Sequence, residues 1–355
     1  MVVLGVDPHK QTYTVVAVDQ TGRQLAQLTV SARTDGQLRL LGWARQLPGG
    51  EGSERRWAVE DGRQVAGRLV AQLLRAGEAA VVWVPPKLMA NARSSARTRG
   101  KSDPIDALAV ARAALREPGL AAAQLQGPAL AVRLVADHRE HLVAERTRMI
   151  NRLRWHLHDL DPELAPATAT LTRLWVLDRL AGQLQGLAGV RAEIAAELVA
   201  RIRQLTERIN QLQADLDHRV TPLAGHLRQV VGVGALGAAK LIGETGGVGR
   251  FGHSAQFAMH AGVAPIPVWS GNRTRHRLNR GGNRQLNAAI HRVAVTQLRA
   301  HPPAQALMAR RIAAGNSKPE ALRVLKRHLA DALYAAMCSD EQAGNTATAG
   351  QPAAT

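Results

Sequence analysis

The amino-acid sequence predicts an α/β domain with a mixed sheet, followed by an all-α segment and a mainly α C-terminal region. Three observations lead to this prediction. β-branched runs alternate with helical patterns up to about residue 125, strand patterns are missing from about 127 to 220, and glycine becomes frequent after Pro222. Short β-branched runs are typical of strands, whereas apolar residues three and four apart are typical of helices.

The first domain is expected to span residues 1 to 125. Its opening runs, residues 2 to 7 and 13 to 19, together with "GRQLAQLTVSA", indicate an antiparallel meander. Helical and strand patterns then alternate: a helix over 35 to 47, the strand "RRWAVED", a helix over 63 to 76, the strand "AAVVWVPP" and a helix that begins near Asp103. A meander followed by such alternation gives a mixed sheet covered by helices.

Residues 126 to 221 are expected to form a helical or coiled-coil segment that links the domains and dimerises. Apolar residues from Leu198 to Leu216 are spaced alternately four and three apart, which is the seam of a coiled coil. A second amphipathic segment runs from about 128 to 160. A plain bundle helix explains the same spacing, because the seam is only three heptads long.

The C-terminal domain is expected to span residues 222 to 338. Its Gly-rich start, "VVGVGALGAAKLIGETG", resembles a helix-hairpin-helix, in which backbone amides approach a phosphate at a helix N-terminus. Packing is the alternative reason for glycines at a helix start. Further helices are expected over about 284 to 300 and 318 to 337, and the polar residues 339 to 355 are expected to be disordered.

The charge of the chain predicts a polyanionic partner, with nucleic acid favoured over membrane. Lys and Arg number 46 against 28 Asp and Glu, which gives a formal net charge of +18. Two stretches, residues 79 to 102 and 245 to 319, contain no acid at all. The candidate nucleic-acid-binding residues in them are Lys87, Arg93, Arg97, Arg99, Lys101, Arg273, Arg275, Arg277, Arg280 and Arg284. Because aromatic residues make up only 3%, backbone contacts are expected rather than base stacking.

Two classes of protein are excluded by composition. No apolar run approaches the ~20 residues that span a bilayer, and the chain opens on the strand-like "MVVLGVD" instead of a signal peptide. A single cysteine, Cys338, excludes a disulfide framework and fits a reducing compartment. We therefore expect a cytoplasmic protein without a membrane partner.

Four carboxylates form a candidate Mg²⁺ site in the first domain. Asp7 ends the first strand, Glu60 ends the buried strand "WAVED", and Asp103 and Asp106 open a later helix on one face. Two Mg²⁺ ions about 4 Å apart can activate a nucleophile and stabilise the leaving oxygen of a phosphodiester. The same helix start also fits a simple cap, with Asp103 at the N-cap and Pro104 behind it.

Motifs from two separate domains resemble, in the same order, those of one known family. They are similar to the DEDD transposases of the insertion sequence one-ten family, the bridge-RNA-guided recombinases of bacterial mobile elements. The resemblance covers about residues 1 to 118 and 225 to 300 and is weak in the helical middle. The motifs are "LGVDPHK", "WAVEDG", "KSDPIDALAVARAAL", "GVGALGAAKLIGETGGVGRFGHSAQFAMHAGVAP" and "SGNRTRHRLNRGGNRQLNAAIH".

The resemblance implies a RuvC-like, RNase H-type first domain in which Asp7, Glu60, Asp103 and Asp106 bind Mg²⁺. It implies a C-terminal serine transposase domain in which Ser270, in "WSGNRTRHR", is the nucleophile. Serine attack would leave a phosphoserine link and a free 3′-hydroxyl, and strand exchange would pass through a junction.

The resemblance also implies partners and a location. The two domains would join from different protomers of a homo-oligomer, a dimer or tetramer, into one composite site. A structured guide RNA encoded by the element would pair with donor DNA at the element ends and with target DNA. These reactions would take place at the bacterial nucleoid.

The residue chemistry of the serine motif agrees with this role, although other interpretations stay open. Serine needs a base, a metal or a positive field, and Arg273, Arg275 and Arg277 could supply the field. Without the resemblance, Ser270 would be interpreted as a turn serine before Gly271. One alternative is a junction-resolving nuclease whose carboxylates activate water. The other is a non-catalytic nucleic-acid-binding protein whose acids are caps.

The first two motifs depart from the family pattern at a few positions. Pro8 and His9 stand where relatives usually carry small or apolar residues, and we interpret His9 as structural. Asp61 follows Glu60 in place of a small residue. Asp61 could therefore compete for the metal or simply face solvent.

Overall fold

The computed structural model describes residues 1–47, 55–60, 65–94, 102–117, 119–123, 127–270 and 273–349. The chain forms two compact units. Unit 1 comprises Met1–Gln126 with Gly249–His253, and unit 2 comprises Gly127–Val248 with Ser254–Thr355. The helical middle and the C-terminal region, which we expected as separate domains, therefore belong to one compact unit.

Unit 1 is built on a five-stranded mixed sheet in the order β3-β2-β1-β4-β5. Its strands are β1 (Val2–Pro8), β2 (Thr12–Val18), β3 (Gln24–Ser31), β4 (Arg55–Glu60) and β5 (Ala80–Val84). The first three pair as an antiparallel meander, whereas β4 runs parallel to both β1 and β5. The mixed sheet predicted from the sequence is thus confirmed.

Helices cover both faces of this sheet because successive side chains of a strand point to opposite sides. On one face Leu4, Val6 and Trp57 pack against α1 (Thr34–Arg45) and α2 (Gly67–Arg75). On the other face Val3 and Ala58 pack against α3 (Pro86–Ser94) and α4 (Asp103–Arg116). Helix α3 was not predicted.

Unit 2 is mainly helical and contains one two-stranded hairpin. The elements are α5 (Gly127–Leu160), α6 (Leu174–Gln185), α7 (Val190–Val220), α8 (Ala235–Thr245), α9 (Ser254–His260), β6 (Ile266–Ser270), β7 (Arg273–Arg277), α10 (Arg284–Ala300), α11 (Pro302–Ala313) and α12 (Lys318–Ala349). The hairpin was not predicted, because "RTRHR" in β7 has no apolar residues to alternate. Within the described ranges, no helix is both long and apolar enough to cross a membrane.

The seam residues of α7 are buried inside unit 2. Leu198 and Ile202 share a core with Leu153 of α5 and Leu177 of α6. Further along the same helix, Leu205, Ile209, Leu212 and Leu216 are also buried. The apolar spacing is therefore explained by packing within one chain, as in a plain bundle helix.

Helix α8 joins the helical middle to the C-terminal region of unit 2. A Cβ on Gly243 would lie 2.8 Å from the Cβ of Arg133, so glycine permits the close crossing of α8 and α5. The buried Nζ of Lys240 lies 2.9 Å from Asp137 Oδ1 and 2.5 Å from Glu140 Oε2. Burial by itself lowers the pKa of Lys240, but these hydrogen bonds outweigh it and raise the pKa.

The Gly-rich stretch before α8 is a turn packed against α10. Gly232 has a φ of 91°, and a Cβ there would lie 3.1 Å from the carbonyl oxygen of Val293. The side chain of Gln297 donates to the carbonyl oxygen of Val231 at 2.8 Å. Packing on α10 is thus sufficient reason for glycine at position 232.

The structure corrects the expectation of disorder for residues 339 to 349. Helix α12 continues to Ala349, and residues 350–355 lie outside the described residues. The carboxylate of Asp340 accepts from the backbone amides of His226 at 2.7 Å and Leu227 at 3.0 Å. Glu341 accepts from the amide of Val248 at 2.5 Å. Composition alone predicted disorder wrongly, because these acids have partners more than ninety residues away.

Candidate functional site

Asp7 and Glu60 lie next to each other at the carboxyl ends of two parallel strands. The register pairs Val6 of β1 with Val59 of β4, so the next residue on each strand is Asp7 or Glu60. Side chains two apart share a face of the sheet, and Ala58 packs on the α4 face. Both carboxylates therefore belong to the face that α4 covers.

The close approach of α4 to β1 depends on Gly5. A Cβ on this residue would lie 2.1 Å from the carbonyl oxygen of Ala107 and 2.4 Å from the amide nitrogen of Ala111. Only glycine leaves room for the helix backbone at such a distance. The first turn of α4, with Asp103 and Asp106, is thereby held near the end of β1, close enough for both charges to act on Asp7.

His9 lies between two of the predicted carboxylates. Its Nε2 is 3.2 Å from Asp7 Oδ2 and 3.3 Å from Asp103 Oδ1. One ligand atom from each of the three residues lies within 4.8 Å of the others, which is the spacing of a metal-binding group. Asp7 is buried, whereas the side chains of His9 and Asp103 are each 50% exposed. The cluster is therefore open to solvent on one side.

Asp7 carries a buried oxygen whose hydrogen-bonding capacity is largely unused. Apart from Nε2 of His9 at 3.2 Å, Oδ2 has no hydrogen-bond partner among the described residues. Burial raises the pKa of Asp7, His9 opposes this effect, and the carboxylates of Asp106 and Asp103 add to it. A buried carboxylate of this kind is costly unless a cation compensates it. The donor set fits a divalent metal ion on these grounds.

The start of α4 differs from the helix cap considered as an alternative. The helix begins at Asp103 itself, and the N-cap is Ser102, which forms no side-chain cap hydrogen bond. The amide of Asp106 donates to the carbonyl oxygen of Ser102 at 2.9 Å. Asp103 thus does not cap the helix, and its carboxylate lies beside His9 instead.

His9 is the residue of this cluster that the sequence did not predict as a metal ligand. From the sequence alone, His9 beside Asp7 is interpreted as structural. The cluster around His9 includes Asp103, which lies at the start of α4, more than ninety residues later in the chain. Asp61 lies outside the described residues, so the structure says nothing about competition between Asp61 and Glu60.

Ser270 occupies the end of a hairpin in unit 2. It is the last residue of β6 and pairs with Arg273, the first residue of β7. Residues 271–272 and the side chains of Ser270, Arg273 and Arg275 are outside the described part of the structure. At the other end of the hairpin, Arg277 pairs with Ile266.

The segment after the hairpin is held by two glycines and two asparagines that the sequence did not single out. A Cβ on Gly282 would lie 2.2 Å from the amide nitrogen of Gly262. Asn283 caps α10, since its Oδ1 accepts from the amides of Gln285 and Leu286 at 3.0 Å each. The Nδ2 of Asn287 donates to the carbonyl oxygen of Gly262 at 2.9 Å. These contacts explain the "GGNRQLN" part of the motif as structural.

The predicted nucleic-acid-binding residues divide between the two units. Lys87 and Arg93 lie on α3, but nothing is described of their side chains. Three others lie wholly outside the described residues: Arg97, Arg99 and Lys101. In unit 2 the side chains that are described are exposed: Arg277, Arg280 and Arg284.

Two family models match the chain in separate regions. The DEDD transposase model of the IS110 family, described as "Transposase", matches residues 4–162. A model described as "Transposase IS116/IS110/IS902 family" matches residues 224–309. The first match includes Asp7, Glu60, Asp103 and Asp106, and the second includes Ser270.

Similar proteins extend over almost the full length of the chain. The "Insertion element IS116 uncharacterized 44.8 kDa protein" of Streptomyces clavuligerus is 28% identical, over 94% of this chain and 93% of that protein. The "Insertion element IS900 uncharacterized 42 kDa protein" of Mycobacterium paratuberculosis is 24% identical, over 93% of this chain and 94% of that protein. A shorter match of 30% identity, over 40% of this chain and 36% of the relative, is to the "Insertion element IS110 uncharacterized 43.6 kDa protein" of Streptomyces coelicolor.

Proposed function

This chain belongs to the IS110 family of DNA transposases, and we propose that it excises and inserts its own insertion sequence by a metal-assisted serine mechanism guided by RNA. The observation that carries the proposal is the group of ligand atoms from Asp7, His9 and Asp103, in which the buried Oδ2 of Asp7 has only His9 Nε2 as a neighbouring donor among the described residues. A buried carboxylate is costly unless a cation compensates it, and a divalent ion bound by this group would do so.

The proposed metal ligands are Asp7, Glu60, Asp103 and Asp106, with Mg²⁺ as the ion. Supporting this assignment, Asp7 and Glu60 share the sheet face that α4 covers, and both aspartates of α4 act electrostatically on Asp7. We also propose, from the family resemblance, that the mixed sheet of unit 1 has the RuvC-like, RNase H-type fold. Bound divalent ions supply Lewis-acid stabilisation of the phosphoryl oxygens and of the leaving oxygen.

The proposed nucleophile is the Oγ of Ser270. It attacks the phosphorus of a DNA phosphodiester, so that a bond from phosphorus to Oγ forms and the bond from phosphorus to the 3′-oxygen breaks. The serine hydroxyl loses its proton, and the departing 3′-oxygen gains one to become a free hydroxyl. Arg273 and Arg275 on β7 are proposed to hold the oxygens of this phosphate, and Arg277, at the far end of β7, those of another phosphate of the same strand, as bidentate guanidinium groups do elsewhere.

The proposed assembly and partners follow from the family. Unit 1 carries the carboxylates and unit 2 carries the serine. The proposed composite site, made by two protomers of a dimer or tetramer, rests on the family resemblance. A structured guide RNA is proposed to pair with donor and target DNA at the bacterial nucleoid, and the net charge of +18 supports a large polyanionic partner.

Substitution of Ser270 separates this mechanism from that of a nuclease that activates water. In a strand-exchange assay with element ends, target DNA and the element's RNA, Ser270→Ala should abolish both exchange and the covalent protein–DNA adduct. Ser339→Ala is the matched control, because among the described residues that hydroxyl bonds only to the carbonyl oxygen of Ala335 in its own helix. If Ser270→Ala still cleaves DNA without an adduct, the serine mechanism is wrong and the nuclease alternative is correct.

The RNA partner needs a separate experiment. Nucleic acid that co-purifies with the protein from its host should yield, on sequencing, one structured species that maps to the element. A random mixture of cellular fragments would show that the positive charge binds polyanions without a dedicated guide.

A further inference from the structure

Unit 2 contains a cavity of about 710 Å³ beside the end of β7 that lies away from Ser270. Five cationic side chains line it: Arg277, Arg311, Arg323, Lys326 and Arg327. The acidic side chain in the lining is Glu320. The cavity is thus strongly positive before any partner is considered.

The nearby acids are already engaged. Oε2 of Glu320 accepts from the amide of Ser317 at 2.9 Å and from its hydroxyl at 2.8 Å, an arrangement that caps the start of α12. Glu320 also lies 3.8 Å from Arg323, and Asp331 pairs with Arg327 at 2.5 Å. Within the described part of the chain, no carboxylate lies within ion-pair distance of the remaining three cations: Arg277, Arg311 and Lys326.

Lys326 is the most informative of these three because it is buried. The residue is only 8% exposed, and its Nζ donates to Oδ1 of Asn287 at 2.5 Å. An ammonium group has three donors, and a neutral amide oxygen does not compensate its charge. Burial accordingly lowers the pKa of Lys326 and of the neighbouring His291, which Lys326 lowers further. Lys326 is thus a buried cation without a counter-ion in the wall of a cavity. An anion that entered the cavity would compensate its charge.

We propose that this cavity binds a phosphodiester group of a single nucleic-acid strand, with Arg277, Arg311 and Lys326 holding the phosphate oxygens. Its volume lies in the range of small-ligand sites, so a nucleotide fits and a duplex does not. Val263, Leu278 and Val324 line the same cavity and provide an apolar wall for the sugar or base.

The cavity lies at a defined distance along the hairpin from the proposed nucleophile, and this part of the inference rests on the proposed function. Ser270 pairs with Arg273, and Arg277 is four residues further along β7. At ~3.3 Å per residue the strand covers about 13 Å. A strand stacked as in a duplex rises ~3.4 Å per nucleotide and an extended single strand covers more, so the cavity holds the strand at most about four nucleotides from the phosphate that Ser270 attacks.

Arg310 and Arg311 make a matched pair for the test. They are adjacent, exposed residues of α11, and only Arg311 lines the cavity. We would measure binding of the full-length protein to a labelled single-stranded DNA and to the RNA of the same sequence, without metal, over a series of salt concentrations. Arg311→Gln should weaken binding several-fold and reduce the slope of log K against log salt by about 0.7, the value for one phosphate contact on a single strand.

Arg310→Gln should leave that slope unchanged, and Lys326→Met should reproduce the loss seen for Arg311→Gln. The strand type, DNA or RNA, whose slope changes is the one that the cavity holds. Ser270→Ala removes no charge and keeps the wild-type slope, so failure of the serine mechanism would not imitate failure of the cavity. If Arg311→Gln matches Arg310→Gln on both strands, the cavity does not bind phosphate.

Discussion

Residue 5 and the carbonyl oxygen of Ala107 are so close that a Cβ on Gly5 would lie 2.1 Å from that oxygen. A strand and a helix more than ninety residues apart are therefore pressed together at a point where one of them has no side chain. Asp7 follows Gly5 by two positions on the strand, and Asp106 immediately precedes Ala107 on the helix. The glycine thus determines how closely the two parts of the carboxylate cluster meet.

Gly5→Ala should destabilise unit 1 by about 3 kcal/mol, because backbone atoms of α4 cannot move aside as a flexible side chain can. Gly42→Ala is the control, since that glycine is exposed on α1 with nothing within 4 Å of an added Cβ. It should stabilise the protein by up to about 1 kcal/mol through helix propensity. Chemical denaturation measures both. Equal effects of the two substitutions would mean that α4 is not held at Gly5.

Asp103→Asn should abolish strand exchange while changing the free energy of unfolding by less than about 0.5 kcal/mol. Asp103 does not cap α4, and its side chain is half exposed, so little stability depends on its charge. Thermal melting and the strand-exchange assay together test this. A stability loss of about 1 kcal/mol with full activity would instead identify Asp103 as a cap.

Two buried lysines of unit 2 should respond oppositely to the same substitution. Lys326→Met should stabilise the protein by about 1 kcal/mol, because it removes a buried charge that has no carboxylate partner within the described residues. Lys240→Met should destabilise it, because Asp137 and Glu140 lose their shared partner. The melting temperatures of the two variants, compared with that of the wild type, test this prediction. If Lys326→Met melted below the wild type, the charge of Lys326 would be compensated and the argument for an anion site would fail.

Much of the fold could be predicted because its signals are local. The β-branched runs of β1 and β2 and the apolar seam of α7 each show their period within a few residues. The hairpin β6–β7 could not be predicted, because its second strand is rich in arginine and shows no apolar alternation. Helix α12 was expected to end near residue 337, but it continues because Asp340 and Glu341 bind backbone amides distant in sequence.

The candidate site, like the fold, could be predicted from the sequence only in part. The carboxylate types and their positions at element ends can be read from the motifs, and the structure places Asp7 and Glu60 side by side. The role of Gly5 and the position of His9 depend on α4, about a hundred residues later in the chain. Lys326 resembles an ordinary helix-surface lysine in the sequence, and only the structure shows that it is buried and bonded to Asn287.

Metal binding by the Asp7 cluster is the central claim, and Asp7 has a physical signature that can be measured. Because its pKa is raised in the folded state, the folded protein holds this proton more tightly than the unfolded chain does. Stability is therefore lost as the pH rises from the ordinary aspartate value through the raised one. At neutral pH without metal, Asp7→Asn should melt at or above the wild-type temperature.

The most direct measurement is the thermal melt of wild type and Asp7→Asn across a Mg²⁺ titration, with Asp35→Asn as the control. Asp35 is an exposed acid of α1 that lies outside the cluster. At about 100 times its dissociation constant, Mg²⁺ should stabilise wild type and Asp35→Asn by about 2.7 kcal/mol. Asp7→Asn should show no such shift. An equal Mg²⁺ shift in all three proteins, or none in the wild type, would contradict a metal site at Asp7.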